Sequence, residues 1–302
     1  MLFKEKLKKN KIILKSYQKV TNVYYSILTL ISPKLNIKAR YKKIFKRSLN
    51  LSDPKTLEEK LQWLMLNNYN NNELVAKCAD KYLVREYVKK CGYENILNEV
   101  YSVYDSEKEI DWGKLPAQFV LKLSFGAGMN IVCREKNFLK EKEVKRKLKQ
   151  WRGSKCWLGY AEMQYKNSSK KIICERLLMD DSQKNGLVDY KVYCFHGQPR
   201  AILVMHDREV GVKTEFFSEK WEKLENTKKY ALPEKGSIKP GCLEEMLEVS
   251  RKLSNPFPFV RCDFYIVNDK LYFGEMTFTP AGGLYLSKTN IDGKDMTNFL
   301  NI

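Results

Sequence analysis

Histidine is nearly absent: 302 residues include two, His196 and His206. That excludes a histidine-rich metal centre and leaves little basis for a Ser-His-Asp triad. His196 precedes Gly197 in a turn-like stretch and reads as structural. The eight cysteines, at 78, 91, 133, 156, 174, 194, 242 and 262, include no C-x-x-C pair. Thiols scattered through apolar runs exclude a zinc site or disulfide framework and imply a reducing, cytosolic compartment. No segment reaches the ~20 apolar residues of a membrane span. Residues 20–31 are apolar but short, and Thr21, Asn22 and Ser26 interrupt them. The basic stretch ahead of them is leader-like. No small-residue cleavage site follows, so a cleaved leader is not expected.

Acidic residues are almost missing from the first fifty positions. Residues 1–50 hold fourteen Lys or Arg against one acid, Glu5, and so carry +13 of the total net charge of +19. The basic character therefore belongs to an N-terminal arm. Three readings stand: attachment to an anionic membrane face, a nucleic-acid arm, or a solvated helix pair packed on the body. Without clear aromatic interleaving on the body, nucleic acid is disfavoured. With 43% hydrophobic residues and 12% aromatics, the rest has enough apolar surface for one large or two modest domains.

Residues 54–92 read as helical. Thr56 and Glu59 have capping-box spacing, and Leu57, Leu61 and Leu64 follow at helical spacing. A second helix is expected from about Leu74 to Lys90, carrying Asp80 and Lys81, with Gly92 as its stop. Strands are expected at residues 119–123, 131–133, 172–178, 190–195 and 201–205. Charged and amphipathic helices are expected at 139–151 and 243–253. Mixed helices and hairpins predict an α+β fold, not a doubly wound parallel sheet. The expected divisions are a basic amphipathic arm (1–50), a helical region (51–115), a subdomain with a glycine loop (116–180) and one with a metal-binding hairpin (181–302).

Residues 259–283, FVRCDFYIVNDKLYFGEMTFTPAGG, carry the sharpest chemical signal. Asp263 and Glu275 sit on two strand-like runs joined at Asn268-Asp269. Strand alternation sends Arg261, Asp263 and Tyr265 to one face and Cys262, Phe264 and Ile266 to the other. Two carboxylates ~4 Å apart repel by about 4 kcal/mol at an effective dielectric of ~20, so a facing pair calls for a cation. Mg²⁺ takes one or two carboxylates plus substrate phosphates. The register is open. A three-residue loop, Asn268 to Lys270, sets Asp263 opposite Glu275; a two-residue turn sets Gly274 there instead. The alternative is a solvated hairpin with surface charges.

Lys122 lies on the strand FVLKL, which leads directly into Ser124, Phe125, Gly126, Ala127, Gly128, Met129 and Asn130. Glycines let successive amides approach phosphate oxygens, and the lysine adds fixed positive charge. A plain hairpin turn explains the loop equally well; it is neither a Walker A motif nor G-x-G-x-x-G. Lys81 reads as a phosphate contact or a surface lysine. Glu175 interrupts the apolar run IICERLL and must be satisfied, by an adenine amino group or a nearby lysine. Asp189 is placed to accept ribose hydroxyls, and Lys191, two residues on, to touch phosphate. Phe125, Met129, Tyr285 and residues 277–283 are candidates for an acceptor pocket or for packing.

The order D-K, V-L-K before a glycine loop, C-E-R-L-L, D-Y-K, R-C-D and G-E-M-T-F-T-P resembles the ATP-grasp superfamily. It is most similar to the TupA-like ATP-grasp family of bacterial surface-polysaccharide clusters, from about Leu51 to Gly283. The resemblance implies ATP clamped between two α+β subdomains after a helical N-terminal region. It implies Lys81 and Lys122 on phosphates, with Ser124, Gly126, Gly128 and Lys191 beside them. Glu175 and Leu178 would frame adenine, and Asp189 would sit near ribose. Arg261 would act with Lys122 on the transferring phosphoryl group. Asp263 and Glu275 would hold Mg²⁺, with Thr277 where many relatives place an asparagine ligand. The substrate domain familiar ahead of the grasp is not evident. The implied activity is a cytoplasmic carboxylate–amine ligase, peripheral at the inner membrane face, acting on a carboxylate-bearing glycan or its precursor and an amine. Glycosyl or phosphoryl transfer, or a scaffold role, are the alternatives; no D-x-D motif supports a nucleotide-sugar site.

Overall fold

The computed structural model describes residues 11–225, 231–284, 290–291 and 294–302. Tyr285 lies outside them. Two helices open the described chain, α1 (Lys11–Ile31) and α2 (Pro33–Phe45). Next come α3 (Leu57–Leu64), a π-helical turn at Met65–Tyr69, α4 (Glu73–Ala79) and α5 (Val84–Lys90). The capping box forms: Thr56 Oγ1 accepts from Glu59 N, and Glu59 Oε2 accepts from Thr56 N. Glu59 Oε1 also receives Arg47 at 2.7 Å and the Tyr41 hydroxyl at 3.1 Å, tying α2 to the start of α3.

The single helix expected over Leu74 to Lys90 is instead two. Asp80 adopts an extended conformation (ψ 120°) and its Oδ1 accepts from the amides of Tyr82 and Leu83. The carboxylate satisfies amides that a continuous helix would bond to its own carbonyls, so the helix restarts. Lys81 therefore sits in a break, not on a helix face.

Two antiparallel sheets follow. The smaller has the order β1 (Val100–Tyr104), β4 (Ile172–Glu175), β2 (Phe119–Leu123), β3 (Asn130–Cys133). Its first strand lies in the region expected to be helical. Helix α6 (Glu141–Arg152) covers it through Val144 and Leu148, and a one-turn helix, α7 (Trp157–Tyr160), follows. The larger sheet has the order β7 (Lys213–Ser218), β6 (Gln198–His206), β5 (Asp189–Phe195), β8 (Phe259–Val267), β9 (Lys270–Thr277). Helix α8 (Leu243–Ser254) packs on its apolar face, where Met246, Val249 and Leu253 join Cys262 and Phe264. That core is continuous with Ile37, Tyr41, Leu61 and Tyr69 from the N-terminal helices. His196 and Gly197 take positive φ in the tight turn between β5 and β6. All eight cysteines are free thiols.

The basic arm packs on the body by one side. Thr29 Oγ1 donates to Leu158 O at 2.7 Å, and Arg40 Nε donates to Gly159 O at 2.7 Å. The Arg40 guanidinium lies between the rings of Tyr25 (3.7 Å) and Tyr160 (4.0 Å). Burial lowers its pKa, against the raising influence of those two tyrosines and Glu162.

Candidate active site between the two sheets

The acidic hairpin combines features of both expected registers. Asn268 and Asp269 form a two-residue turn with positive φ at both positions (49° and 60°), and Val267 pairs with Lys270. That turn alone would bring Gly274 opposite Asp263. Instead, Phe264 pairs with Phe273 and Asp263 with Glu275, so Gly274 is the extra residue of a β-bulge. A Cβ on Gly274 would lie 2.9 Å from the Asp263 carbonyl oxygen, closer than a side chain tolerates. Glycine is thus what allows the bulge that sets the two acids side by side.

Asp263 is buried and held by two cations. Arg261 Nε donates to Oδ1 at 2.6 Å and Nη2 to Oδ2 at 2.7 Å, while Lys191 Nζ donates to Oδ2 at 2.6 Å. Strand register explains this, because Lys191 on β5 pairs directly with Asp263 on β8. Burial alone would lower the pKa of Arg261, but Asp263 overrides it and raises the value above its ordinary range. Glu275 is more open, its side chain 34% exposed, with Lys81 Nζ 3.1 Å from Oε2. Burial pushes its carboxyl up, yet Lys81, Lys191 and Arg261 together bring it down to about 2.

Lys81 joins the two sheets. Its amide donates to Ser124 O at 2.6 Å and its ammonium to Gly126 O at 2.8 Å, while the same ammonium faces Glu275. Gly126 and Gly128 take φ values of +72° and +69°. Among the described residues, no hydrogen bond from the amides of Phe125, Gly126, Ala127 or Gly128 to a protein group is seen. Four successive amides are therefore free for an anion. Ser124 is different. Its hydroxyl meets Ser169 Oγ at 3.0 Å and its amide donates to Lys171 O, so it anchors the loop.

Lys122 and Glu175, expected on phosphate and adenine, form an ion pair at 2.7 Å; Glu175 also lies 3.4 Å from Asn98 Nδ2. Asp189, expected near ribose, is buried and receives Arg208 Nη1 on both oxygens, at 2.9 and 2.8 Å. Lys191 lies 3.4 Å from it. Arg208 was not legible in the sequence. It follows the end of β6 in a turn, where neither alternation nor a motif signals its direction. Leu178 follows β4 and is half-buried. Thr277, expected as a metal ligand, accepts from Arg261 Nη2 at 3.1 Å and donates to Glu275 Oε1 at 3.3 Å. Its hydroxyl orients those two groups.

Packing accounts for the segment considered as an acceptor wall. A Cβ on Gly282 would lie 2.3 Å from the Tyr160 ring, and one on Gly283 would lie 2.5 Å from Gln62 Nε2. Thr279 donates to the half-buried Glu162 at 2.6 Å and accepts from Gln164 at 2.9 Å. Phe125 is buried in the small-sheet core and Met129 packs against it.

Among the described residues, no group of three or more His, Cys, Asp or Glu could enclose a metal. Two carboxylates suffice for Mg²⁺ only where phosphate oxygens and water complete its shell. Glu275 has the exposure for this. Asp263 retains one lone-pair site, on Oδ1, beyond the three used by Arg261 and Lys191. The donor set fits a phosphate-bridged Mg²⁺ and not an all-protein cage.

A family model for TupA-like ATP-grasp proteins matches residues 59–294. The chain belongs to the TupA-like ATP-grasp family. Membership identifies the two sheets as those of an ATP-grasp fold. Similar solved structures include the D-alanine–D-alanine ligase of Helicobacter pylori, 18% identical with a TM-score of 0.40 over 76% of this chain and 64% of that one. The L-amino acid ligase of Bacillus licheniformis is 10% identical, with a TM-score of 0.44 over 84% of this chain and 55% of that one. The ATP-grasp ligase PsnB with minimal precursor, Mg and ADP is 12% identical, with a TM-score of 0.37 over 74% and 58%. This chain thus spans less than two thirds of their length. No curated protein sequence matches it.

Proposed function

We propose that this TupA-like ATP-grasp protein is a carboxylate–amine ligase that works through an acyl phosphate, and that its acceptor is a uronic-acid-type carboxyl of a surface glycan or its precursor. One observation carries the chemistry. Four cations, Lys81, Lys191, Arg261 and Arg208, meet three carboxylates, Asp263, Glu275 and Asp189, leaving a surplus of one positive charge where Lys81 ties the glycine loop to the acidic hairpin. A triphosphate offers the complementary charge. The glycan setting comes from the family resemblance alone.

In this reading, the free amides of residues 125–128 and the Lys81 ammonium bind phosphate oxygens. Lys81 then exchanges its contact with Glu275 for one with ATP. Arg261, locked in plane by Asp263 and Thr277, presents positive charge where the transferring phosphoryl group gains negative charge. Bound Mg²⁺, held by Asp263 and Glu275, would neutralise charge across the phosphates. The acceptor carboxylate oxygen bonds to the γ-phosphorus as the bond to the β-phosphate bridge breaks, releasing ADP. The amine nitrogen then bonds to the acyl carbon, phosphate leaves, and the amine loses a proton. No protein nucleophile is needed, which suits a chain with two histidines.

The test is incubation of the purified protein with Mg-ATP, a panel of uronic acids and a panel of amines. ADP release requiring both partners, with an amide seen by mass spectrometry, is expected. A phosphate ester or glycoside product would replace the ligase reading with phosphoryl or glycosyl transfer. Failure to bind ATP at millimolar Mg²⁺ would remove the nucleotide reading altogether.

A further inference from the structure

The outer face of α1 takes no part in the candidate site. Val20, Val23, Tyr24, Ile27, Leu30 and Ile31 are between 52% and 70% exposed. At 3.6 residues per turn they share one arc of about 120°. A different arc of the same helix, with Tyr25 and Thr29, is buried against the loop at Leu158 and Gly159. The helix is therefore apolar on two faces, and the described residues cover one of them.

Basic side chains border the uncovered face on both sides. Lys19 lines a shallow depression with Val23, Ile27 and Leu30, and Lys42 and Lys43 line another with Val20 and Tyr24. From Lys6 to Ser52 there is no acidic residue. We propose that this face of α1 binds the surface of an anionic lipid bilayer. The helix would lie in the plane of the headgroups, with its apolar arc at the acyl boundary and its lysines on lipid phosphates. An apolar stripe combined with a basic rim supplies the two signals that stable surface attachment needs. The helix lies on the bilayer and does not span it, because no described helix is long and apolar enough to cross. Charge argues against a second copy as the occupant: pairing two such faces would bring two strongly basic segments together.

The buried side of the arm makes this attachment consequential. Arg40 stacks on Tyr160, and Tyr160 packs against Gly282, just beyond the acidic hairpin. The bilayer would thus hold the hairpin sheet at a set height above the headgroups. Attachment itself stands apart from the ligase reading, and nucleotide binding is measured separately.

The test is flotation of the full-length chain with vesicles of phosphatidylcholine, alone or mixed with phosphatidylglycerol. Flotation with the mixed vesicles only, weakening as salt rises, is expected. The pair Ile27→Glu with Leu30→Glu should lower vesicle partition by about tenfold or more, with ATP binding and circular dichroism unchanged. The pair Lys42→Glu with Lys43→Glu leaves the apolar face intact and should also lower partition to the anionic vesicles several-fold. It decides the matter if the first pair does not fold. The proposal is overturned by absence of flotation with anionic vesicles, or by partition that the lysine pair leaves undiminished. A dimer that the Ile27 and Leu30 substitutions dissolve, without vesicle binding, would equally overturn it and assign the face to a second copy.

Discussion

The two sheets solve opposite problems. The five-stranded sheet carries Arg261 and Asp263 on the interior strand β8 and Glu275 on the edge strand β9, backed by α8 and a core continuous with the N-terminal helices. The charges there are paired: Lys191 meets Asp263 across the strand register, Arg261 meets it along the same strand, and Lys81 reaches Glu275 from outside the sheet. The four-stranded sheet has a smaller core of its own and offers free amides on a glycine loop, plus Lys122 at a strand end. One surface carries buried, paired charges; the other presents loop amides without a protein partner among the described residues. Lys81 belongs by its backbone to the second and reaches by its ammonium to the first. Charges kept in a low-dielectric interior must be paired before ligand arrives, whereas amides at a surface loop can wait in water.

The largest effect that would break this contrast is on the side of the paired charges. Asp263→Ala leaves Arg261 and Lys191 buried without their shared partner, and a loss of about 3–5 kcal/mol is expected in urea unfolding. A loss within the range of an ordinary surface substitution would mean that the cations relax into solvent and the charges are not held by their pairing. Arg261→Lys keeps the charge and removes the planar fork, so the fold should largely persist. ATP turnover, read as ADP release, should fall by about a hundredfold. Gly274→Ala forces a Cβ onto the Asp263 carbonyl, with an expected cost of about 1–3 kcal/mol. Loss of Mg²⁺-dependent nucleotide binding should accompany it, because the acids separate when the bulge is lost. If nucleotide binding is unchanged, the bulge does not set the site.

Acid should sharpen the comparison. The Glu275 carboxyl sits at about 2, below its ordinary 4.5, because the three cations outweigh burial. Its stabilising contribution is therefore full above about pH 5 and disappears as pH falls toward 2. Glu275→Gln should be less stable than the parent by about 1–2 kcal/mol at neutral pH, an amount already reduced for solvent screening. The two melting curves should converge on acidification; a constant gap would assign the effect to packing. The smallest stability change belongs to Lys81→Met, expected to cost about 1 kcal/mol or less because its pair with Glu275 is part-exposed. Its nucleotide affinity should nevertheless fall by about tenfold, measurable by calorimetry with Mg-ATP.

Short-range patterns in the chain determined a good deal. Alternation around Cys262 and Phe264 assigned the inward and outward faces of β8, and Thr56 with Glu59 marked the start of α3, because both effects act within a few residues. The α+β class followed from the mix of hairpins and amphipathic helices. The need for a cation near Asp263 and Glu275 was also readable, since like charges facing each other demand one. Tertiary structure alone decided the rest. A two-residue turn and a bulge at Gly274 produce the same acid pairing as a longer loop, and only the strand partner distinguishes them. Whether Lys122 meets Glu175, whether Arg208 reaches Asp189, and where α4 breaks to deliver Lys81 depend on side chains distant in sequence or on local bonds that compete with a helix. The uncovered arc of α1 was hidden for the same reason: composition counts its apolar residues, but burial depends on which of them find a neighbour when the chain closes.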